Sequence, residues 1–183
     1  PIGGTTALVL GLGTIGQQVV QTLRARGAQR VIGVDVSELR LNAAAELGAE
    51  VLNGGGGLAE ALAQRLGPGG EIDVVFECSG VPAVAGMALE QVRAGGAIVV
   101  LALYDDPVTF NPTVLVQREI RLQGSIAYTG DDFADAVELI SAGKVKAGPL
   151  ITQRHRLEDI GEAFEVQLQK DRSLKVLVTP DGG

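Results

Sequence analysis

The stretch Ala7-Leu8-Val9-Leu10-Gly11-Leu12-Gly13-Thr14-Ile15-Gly16 decides the fold of this 183-residue chain. An apolar run leads directly into the pattern Gly-x-Gly-x-x-Gly, and an amphipathic segment follows it. This order predicts a buried strand, a tight glycine turn and a helix packed closely on the strand. A second apolar run ends at Asp35, about 20 residues beyond the motif, where a nucleotide-binding βαβ unit carries the acid that holds a ribose. The combination predicts a binding site for NAD.

Each glycine of the motif has its own predicted task. Gly11 permits the tight turn that leaves the strand, Gly13 lacks a Cβ so that a pyrophosphate can approach the backbone, and Gly16 lets the helix pack on the strand. The N–H groups of Thr14 and Ile15 are expected to point at the phosphates, where the helix dipole adds about 0.3–1 kcal/mol of attraction. The alternative is a glycine-rich turn that binds no ligand.

Two charged residues are predicted near the adenosine ribose. Asp35 should accept hydrogen bonds from the ribose hydroxyls and repel a 2′-phosphate, which favours NAD over NADP. Its alternative role is to cap the following helix. Arg40 lies in the first turns of that helix. It could reach the same ribose or be a solvated helix residue.

Composition excludes several classes of function. The chain has 15 basic and 22 acidic residues, a net charge of −7, which argues against nucleic acid and anionic membranes as partners. A single cysteine excludes an intrachain disulfide and favours a reducing compartment, the cytoplasm. No apolar run approaches the roughly 20 residues of a membrane span. Because the chain opens on Pro1, we expect a fragment of a larger protein.

Strands and helices are predicted to alternate along the first two thirds of the chain. Apolar runs predict strands at residues 7–10, 31–35, 51–52, 72–78, 98–101 and 120–125, with helices at 14–26, 37–47, 58–66 and 82–92. This rhythm predicts an α/β fold, a doubly wound parallel sheet of six strands.

Beyond Ala127 the alternation stops. Two further helices, one containing Phe133 and Ile140 and one at residues 157–168, precede a final strand at 174–178. We predict an NAD-binding Rossmann domain at residues 1–127 and a C-terminal segment, 128–183, that belongs to a neighbouring catalytic domain.

Other candidate sites fail on their spacing. Neither tyrosine begins a Tyr-x-x-x-Lys motif, and the single histidine, His155, is expected at the surface between two arginines. Cys78 ends a buried strand without a second cysteine, which favours a small core residue near the cofactor. Glu77 could be an acid that supports the cofactor site without touching the cofactor, although a polar strand end is the simpler interpretation. The glycines at 54–57 are expected to form a flexible surface loop.

The order of these motifs resembles a known family. The stretches 7–16, 31–35, 73–80 and 95–100, followed by 155–164 and 174–178, resemble the zinc-type medium-chain alcohol dehydrogenases, particularly the sorbitol, threonine and butanediol dehydrogenase branch. In that family a GroES-like domain carries the zinc ligands. One cysteine and one histidine cannot supply them, so we expect no metal ligand and no catalytic residue in this chain, with zinc held only by the missing domain.

The resemblance implies further cofactor contacts. Cys78 and Ser79 would flank the adenine side. The backbone of Val100, Leu101 and Ala102 would line the nicotinamide, and the segment from Ser125 to Ala127 would complete that pocket. Lys175 would lie near the pyrophosphate. The edge from Thr109 to Ser125 would form a homodimer or homotetramer.

The function that the resemblance implies is hydride transfer between NAD and a secondary alcohol or ketone, with this chain inactive by itself. Alternatives are the zinc-free quinone or enoyl reductase branch, which commonly uses NADPH, and a non-catalytic dinucleotide-sensing module. A methyltransferase is a more distant alternative.

Overall fold

A six-stranded parallel sheet in the order β3-β2-β1-β4-β5-β6 dominates the computed structural model, which describes residues 2–169 and 171–180. Its strands are β1 Thr6–Leu10, β2 Arg30–Asp35, β3 Glu50–Asn53, β4 Ile72–Glu77, β5 Val92–Val100 and β6 Arg121–Gly124. The connecting helices are α1 Thr14–Ala25, α2 Glu38–Glu46, α3 Leu58–Leu66, α4 Pro82–Gln91 and α5 Thr113–Arg118. The predicted doubly wound α/β fold is therefore confirmed.

Apolar side chains are buried on both faces of the sheet. One core cluster contains Leu8, Ile32 and Val75 together with Leu62 of α3 and Ala88 of α4. The other lies on the opposite face and contains Val9 with residues of α1 and α2. Burial on both faces explains why the central strands are almost continuously apolar, since a polar side chain on either face would lose its water.

The strand order places a topological switch point beside β1. Leu10 pairs with Val34 of β2 on one side and with Glu77 of β4 on the other. Crossovers leave β1 and β4 in opposite directions, so a crevice opens between their carboxyl ends. Ligands of open α/β sheets bind in this crevice.

Up to residue 127, two elements differ from the sequence prediction. Strand β5 begins at Val92 rather than at residue 98, and Gly95 and Gly96 lie within it, next to a shift in the register with β4. A glycine pair usually signals a turn, so the strand was predicted too short. Helix α5 follows Pro112 and was not predicted, because two prolines indicated only a break.

The rest of the chain forms α6 Gly130–Ser141, β7 Ile151–Arg156, α7 Ile160–Leu168 and β8 Lys175–Thr179. Strands β7 and β8 form a separate two-stranded parallel sheet. Strand β7 was not predicted, and His155, which was expected at the surface, lies half-buried within it. Polar residues occupy most of this strand and hide its alternation.

Hydrogen bonds of Gln21 and Thr14 join this tail to helix α1. The Gln21 amide donates to the Lys146 carbonyl at 3.2 Å and accepts from the Lys146 N–H at 2.7 Å. At the start of the helix, the Thr14 hydroxyl donates to the Leu174 carbonyl at 2.9 Å. The residues just before β8 thus lie beside the glycine turn.

Across the described ranges, 2–169 and 171–180, none of the helices has the length and apolar character that crossing a membrane requires.

Candidate functional site

A cleft with a volume of about 170 Å³ opens at the carboxyl ends of β1, β2 and β4. Six residues predicted to bind the cofactor line it: Gly11, Gly13, Asp35, Arg40, Cys78 and Ser79. The rest of its wall is mainly apolar and comes from Leu10, Val34, Val36, Gly54, Leu58, Val81, Val84 and Met87. Few polar groups in an apolar concave wall are typical of a small-molecule site.

The glycine turn divides into packed and open positions. A Cβ built at Gly16 would lie 1.9 Å from the Gly11 carbonyl oxygen, and one at Gly11 would lie 2.8 Å from the Ser79 backbone. At Gly13 the nearest atom is the Arg40 guanidinium, at 4.0 Å. The fold itself therefore explains two of the glycines, whereas the open position at Gly13 leaves space that a ligand could use.

Helix α1 begins directly after this open position. Its N-cap is Gly13, and within the part of the chain that the structure describes no side chain caps it. The first N–H groups of a helix have no acceptor within the helix, and the helix dipole makes this end attractive to anions. Thr14 and Ile15 begin the helix here, as predicted, and Ile15 is half exposed.

Asp35 lies at the end of β2 and is 9% exposed. Its Oδ2 accepts the Leu12 N–H at 2.7 Å, while Oδ1 accepts the N–H groups of Val36 at 2.8 Å and Ser37 at 3.0 Å. The carboxylate thus fixes the glycine turn and the entry to α2. An ionised carboxylate accepts at about four lone-pair positions, so one remains for a ligand.

Arg40 is not a solvated helix residue. Its side chain is 17% exposed, and Nη1 lies 3.6 Å from Oδ2 of Asp35. The amide of Gln17, which is fully buried, donates to the carbonyls of Leu12 at 3.1 Å and Arg40 at 2.8 Å. Among the described residues, the buried Nε of Arg40 has no hydrogen-bond partner.

A third polar group ends β4. Glu77 is fully buried, and its Oε1 accepts the N–H of Ser79 at 2.8 Å and also the Ser79 hydroxyl. Its Oε2 accepts the Tyr104 hydroxyl. The side chain therefore joins the loop after β4 to the loop after β5.

Burial, followed by the charge of Glu77, raises the pKa of the Cys78 thiol to about 12. The same two influences, together with the hydrogen bond to Glu77, raise the pKa of Tyr104 above its ordinary value. At neutral pH both side chains are therefore protonated. Cys78 is a small, unreactive residue in the cleft wall, since the thiolate is the reactive form.

The remaining predicted contacts are not among the residues that line this cleft. Val100 ends β5, and the N–H groups of Leu101 and Ala102 donate to the Glu77 carbonyl at 2.9 Å and 3.2 Å. Ala127 is exposed with a φ of 58°. Lys175 is exposed and lines a groove between α7 and β8. Neither Ala127 nor Lys175 lines this cleft, although Lys175 directly follows Leu174, whose carbonyl accepts the Thr14 hydroxyl at the start of α1.

Sequence reasoning missed most of the apolar wall and the partner of Glu77. Leu58, Val84 and Met87 come from helices whose faces could not be oriented before the sheet order was known. The contact between Glu77 and Tyr104 spans 27 residues and follows no motif. No group of three or more His, Cys, Asp or Glu side chains suited to a metal ion occurs among the described residues.

The strand order, the glycine turn and the acid at the end of β2 define a Rossmann-type nucleotide-binding domain. The family model described as a zinc-binding dehydrogenase matches residues 14–142. D-xylulose reductase from Saccharomyces cerevisiae is 32% identical over 168 residues, which are 88% of this chain and 47% of that protein. (R,R)-butanediol dehydrogenase from Bacillus subtilis is 32% identical over 181 residues, 97% of this chain and 51% of that protein.

Solved structures of zinc-binding dehydrogenases have a similar fold. The structure of 2R,3R-butanediol dehydrogenase from Bacillus subtilis matches with a TM-score of 0.86 at 32% identity, over 97% of this chain and 51% of that one. A zinc-binding dehydrogenase from Sinorhizobium meliloti bound to NADP matches with a TM-score of 0.85 at 29% identity, over 97% and 53%. The chain belongs to the zinc-binding dehydrogenase family, the zinc-type medium-chain alcohol dehydrogenases. It spans about half the length of these relatives.

Proposed function

We propose that this chain is the NAD-binding portion of an enzyme that transfers a hydride between NAD and a secondary alcohol or ketone. The observation that carries the proposal is the juxtaposition of an open, uncapped helix start at Gly13 with the buried carboxylate of Asp35, across the switch point of the sheet. The helix start suits a pyrophosphate, and the carboxylate suits a ribose.

The residues present fit a dinucleotide. Gly13 and the N–H groups of Thr14 and Ile15 would hold the pyrophosphate, because they offer donors without a Cβ in the way. Asp35 has one acceptor position free for a ribose hydroxyl, and the Arg40 guanidinium, which lines the cleft, lies beside it. Cys78 and Ser79 would flank the adenine. When bound, the nicotinamide supplies the hydride chemistry, and the protein supplies position and electrostatics.

Selectivity for NAD rests on Asp35. A 2′-phosphate would bring about two negative charges next to a buried carboxylate. At about 4 Å, each pair of unit charges repels by about 1 kcal/mol in water and about 4 kcal/mol at an effective dielectric constant of 20. Arg40 offsets part of this repulsion, and one relative binds NADP. We therefore expect at least a tenfold preference for NAD over NADP, which would argue against the NADPH-dependent reductase alternative.

The whole enzyme is proposed by analogy with its relatives. We expect residues 128–183 to pack on a catalytic domain that holds zinc, so that this chain alone does not turn over substrate. The edge from Thr109 to Ser125, where β6 is exposed along its length, would join subunits into a homodimer or homotetramer. A single cysteine supports a reducing compartment such as the cytoplasm.

Calorimetric titration of the chain with NAD⁺, NADP⁺ and ADP-ribose tests the proposal. We expect NAD⁺ and ADP-ribose to bind with similar affinity, and NADP⁺ at least tenfold more weakly. In Asp35→Ser, the ratio of the NADP⁺ to the NAD⁺ dissociation constant should fall towards one, while Asp106→Asn, which alters an exposed acid outside the cleft, leaves it unchanged. Equal affinity for both cofactors in the unaltered chain would refute the selectivity, and no binding of ADP-ribose would refute the site.

A further inference from the structure

Glu77 is a buried acid without a cationic partner. Asp35 has Arg40 at 3.6 Å and Asp73 has Arg93 at 2.8 Å, but among the described residues no Lys, Arg or His nitrogen lies within 4.0 Å of the Glu77 carboxylate. Its oxygens are instead surrounded by the hydroxyls of Ser79 and Tyr104 and the Ser79 N–H. The Ser79 N–H is a donor only, and both hydroxyls can donate, so the surroundings offer three hydrogen bonds to a carboxylate.

The strand order would place this charge between the two halves of a dinucleotide, because Cys78 and Ser79, which follow it, would flank the adenine. Asp35 ends β2, the glycine turn follows β1, and Glu77 ends β4 on the other side of β1. A dinucleotide with its adenosine ribose at Asp35 and its pyrophosphate at the turn must extend its second ring towards the ends of β4 and β5. Neighbouring strands are about 4.8 Å apart, so the ring would lie within about 10 Å of Glu77, roughly two strand spacings.

We propose that Glu77 sets the preference of the cleft for the oxidised cofactor. This inference rests on the proposed function, because it concerns the same site. The oxidised and reduced cofactors share every group except the nicotinamide ring, which carries one positive charge when oxidised and none when reduced. A fixed negative charge nearby strengthens the binding of NAD⁺ relative to NADH and leaves the shared contacts unaltered.

Coulomb's law gives the size of the effect. Over about 10 Å, a unit charge favours the oxidised ring about twofold at an effective dielectric constant of about 80 and about fifteenfold at about 20. Glu77 is fully buried next to Cys78 and Ser79, which line the cleft, and this burial favours the upper part of the range.

Glu77→Gln removes the charge while keeping the shape. The amide oxygen can still accept the Ser79 N–H, and the Tyr104 hydroxyl can rotate to accept from the amide nitrogen. Tyr104→Phe should instead strengthen the preference for NAD⁺, because the charge of Glu77 remains while one of the hydroxyls that donate to it is removed. Glu90→Gln, on an exposed face of α4, is the matched control that removes the same charge at a distance.

The measurement is the ratio of the NADH to the NAD⁺ dissociation constant for each protein, with ADP-ribose as a ligand that lacks the ring. We expect Glu77→Gln to lower the ratio two- to fifteenfold, Tyr104→Phe to raise it and Glu90→Gln to leave it unchanged, with ADP-ribose affinity preserved in all three. A role in positioning alone would weaken all ligands together at a constant ratio.

An unchanged ratio in a folded Glu77→Gln variant would overturn the proposal. If that variant does not fold, an unchanged or lowered ratio in Tyr104→Phe would overturn it instead. Failure of the unaltered chain to bind ADP-ribose would show that the proposed function itself is wrong, whereas binding of ADP-ribose with an unaffected ratio would refute only the role of Glu77.

Discussion

Replacing Gly13 by alanine should separate binding from folding. The backbone at Gly13 has φ −65° and ψ −170°, which alanine adopts without strain, and the new methyl group would meet only the Arg40 guanidinium at 4.0 Å. Alanine is a poorer N-cap than glycine by about 0.5–1 kcal/mol. Alanine also restricts the unfolded chain, and this stabilises the fold by about 0.4–1 kcal/mol. The free energy of unfolding should therefore change by less than about 1 kcal/mol.

Binding of the dinucleotide should fall much further. A methyl group at this position fills the space through which a phosphate approaches the helix start. Loss of one hydrogen bond to a charged group is worth about 1.5–3 kcal/mol, or about a 10- to 150-fold rise in the dissociation constant of NAD⁺. Calorimetric titration measures this rise, and urea unfolding measures the stability of the same protein.

Two further alanine variants complete the test. Gly16→Ala should destabilise the fold by about 3 kcal/mol or more, because its Cβ would lie 1.9 Å from a backbone oxygen that cannot move alone. Gly3→Ala, with no atom within 4 Å, should alter neither property. The reasoning is refuted if Gly13→Ala binds NAD⁺ within twofold of the unaltered chain, or if it loses as much stability as Gly16→Ala.

Two other predictions concern stability. Arg30 donates to both oxygens of Glu50, at 2.8 Å and 2.7 Å, and this hydrogen bonding lowers the pKa of Glu50. Because the folded-state pKa is depressed, the stabilisation is present above the unfolded value of about 4.3 and is lost as the pH falls through the folded-state pKa. Glu50→Gln should therefore have a lower Tm than the unaltered chain at pH 6, and this difference should shrink as the pH falls towards 3; a constant difference would contradict this. Glu119 ends α5 with a φ of 52°, so Glu119→Gly should stabilise the fold by about 1 kcal/mol in urea unfolding, whereas Glu119→Ala should give no gain.

Local patterns were sufficient to predict the first βαβ unit. The apolar runs that end at Leu10 and Asp35 are bounded by glycines and polar residues, and the structure extends each of these strands by a single residue at its start. The positions of Gly11, Gly13 and Gly16 around the start of α1 were also predicted, because the turn from β1 into α1 requires glycines at this spacing.

Elements whose local signal conflicts with their packing were not predicted. Strand β7 contains Gln153, Arg154 and His155, so its pairing with β8 depends on a partner more than 20 residues away in the chain. The first half of β5 contains Gly95 and Gly96, which usually indicate a turn. The candidate site was predicted in part. Asp35 was predicted from its distance to the glycine motif, whereas the hydrogen bond between Glu77 and Tyr104 could be found only in the three-dimensional structure.

The attachment of the tail to helix α1 has a practical consequence. Thr14 and Gln21 each make their side-chain hydrogen bonds with backbone groups that lie beyond residue 140. Cutting the chain near residue 127 to isolate the sheet would expose Gln21 and free the hydroxyl at the first position of the helix. A shortened protein would therefore carry a differently solvated glycine turn, and affinities measured on it would not transfer to the longer chain.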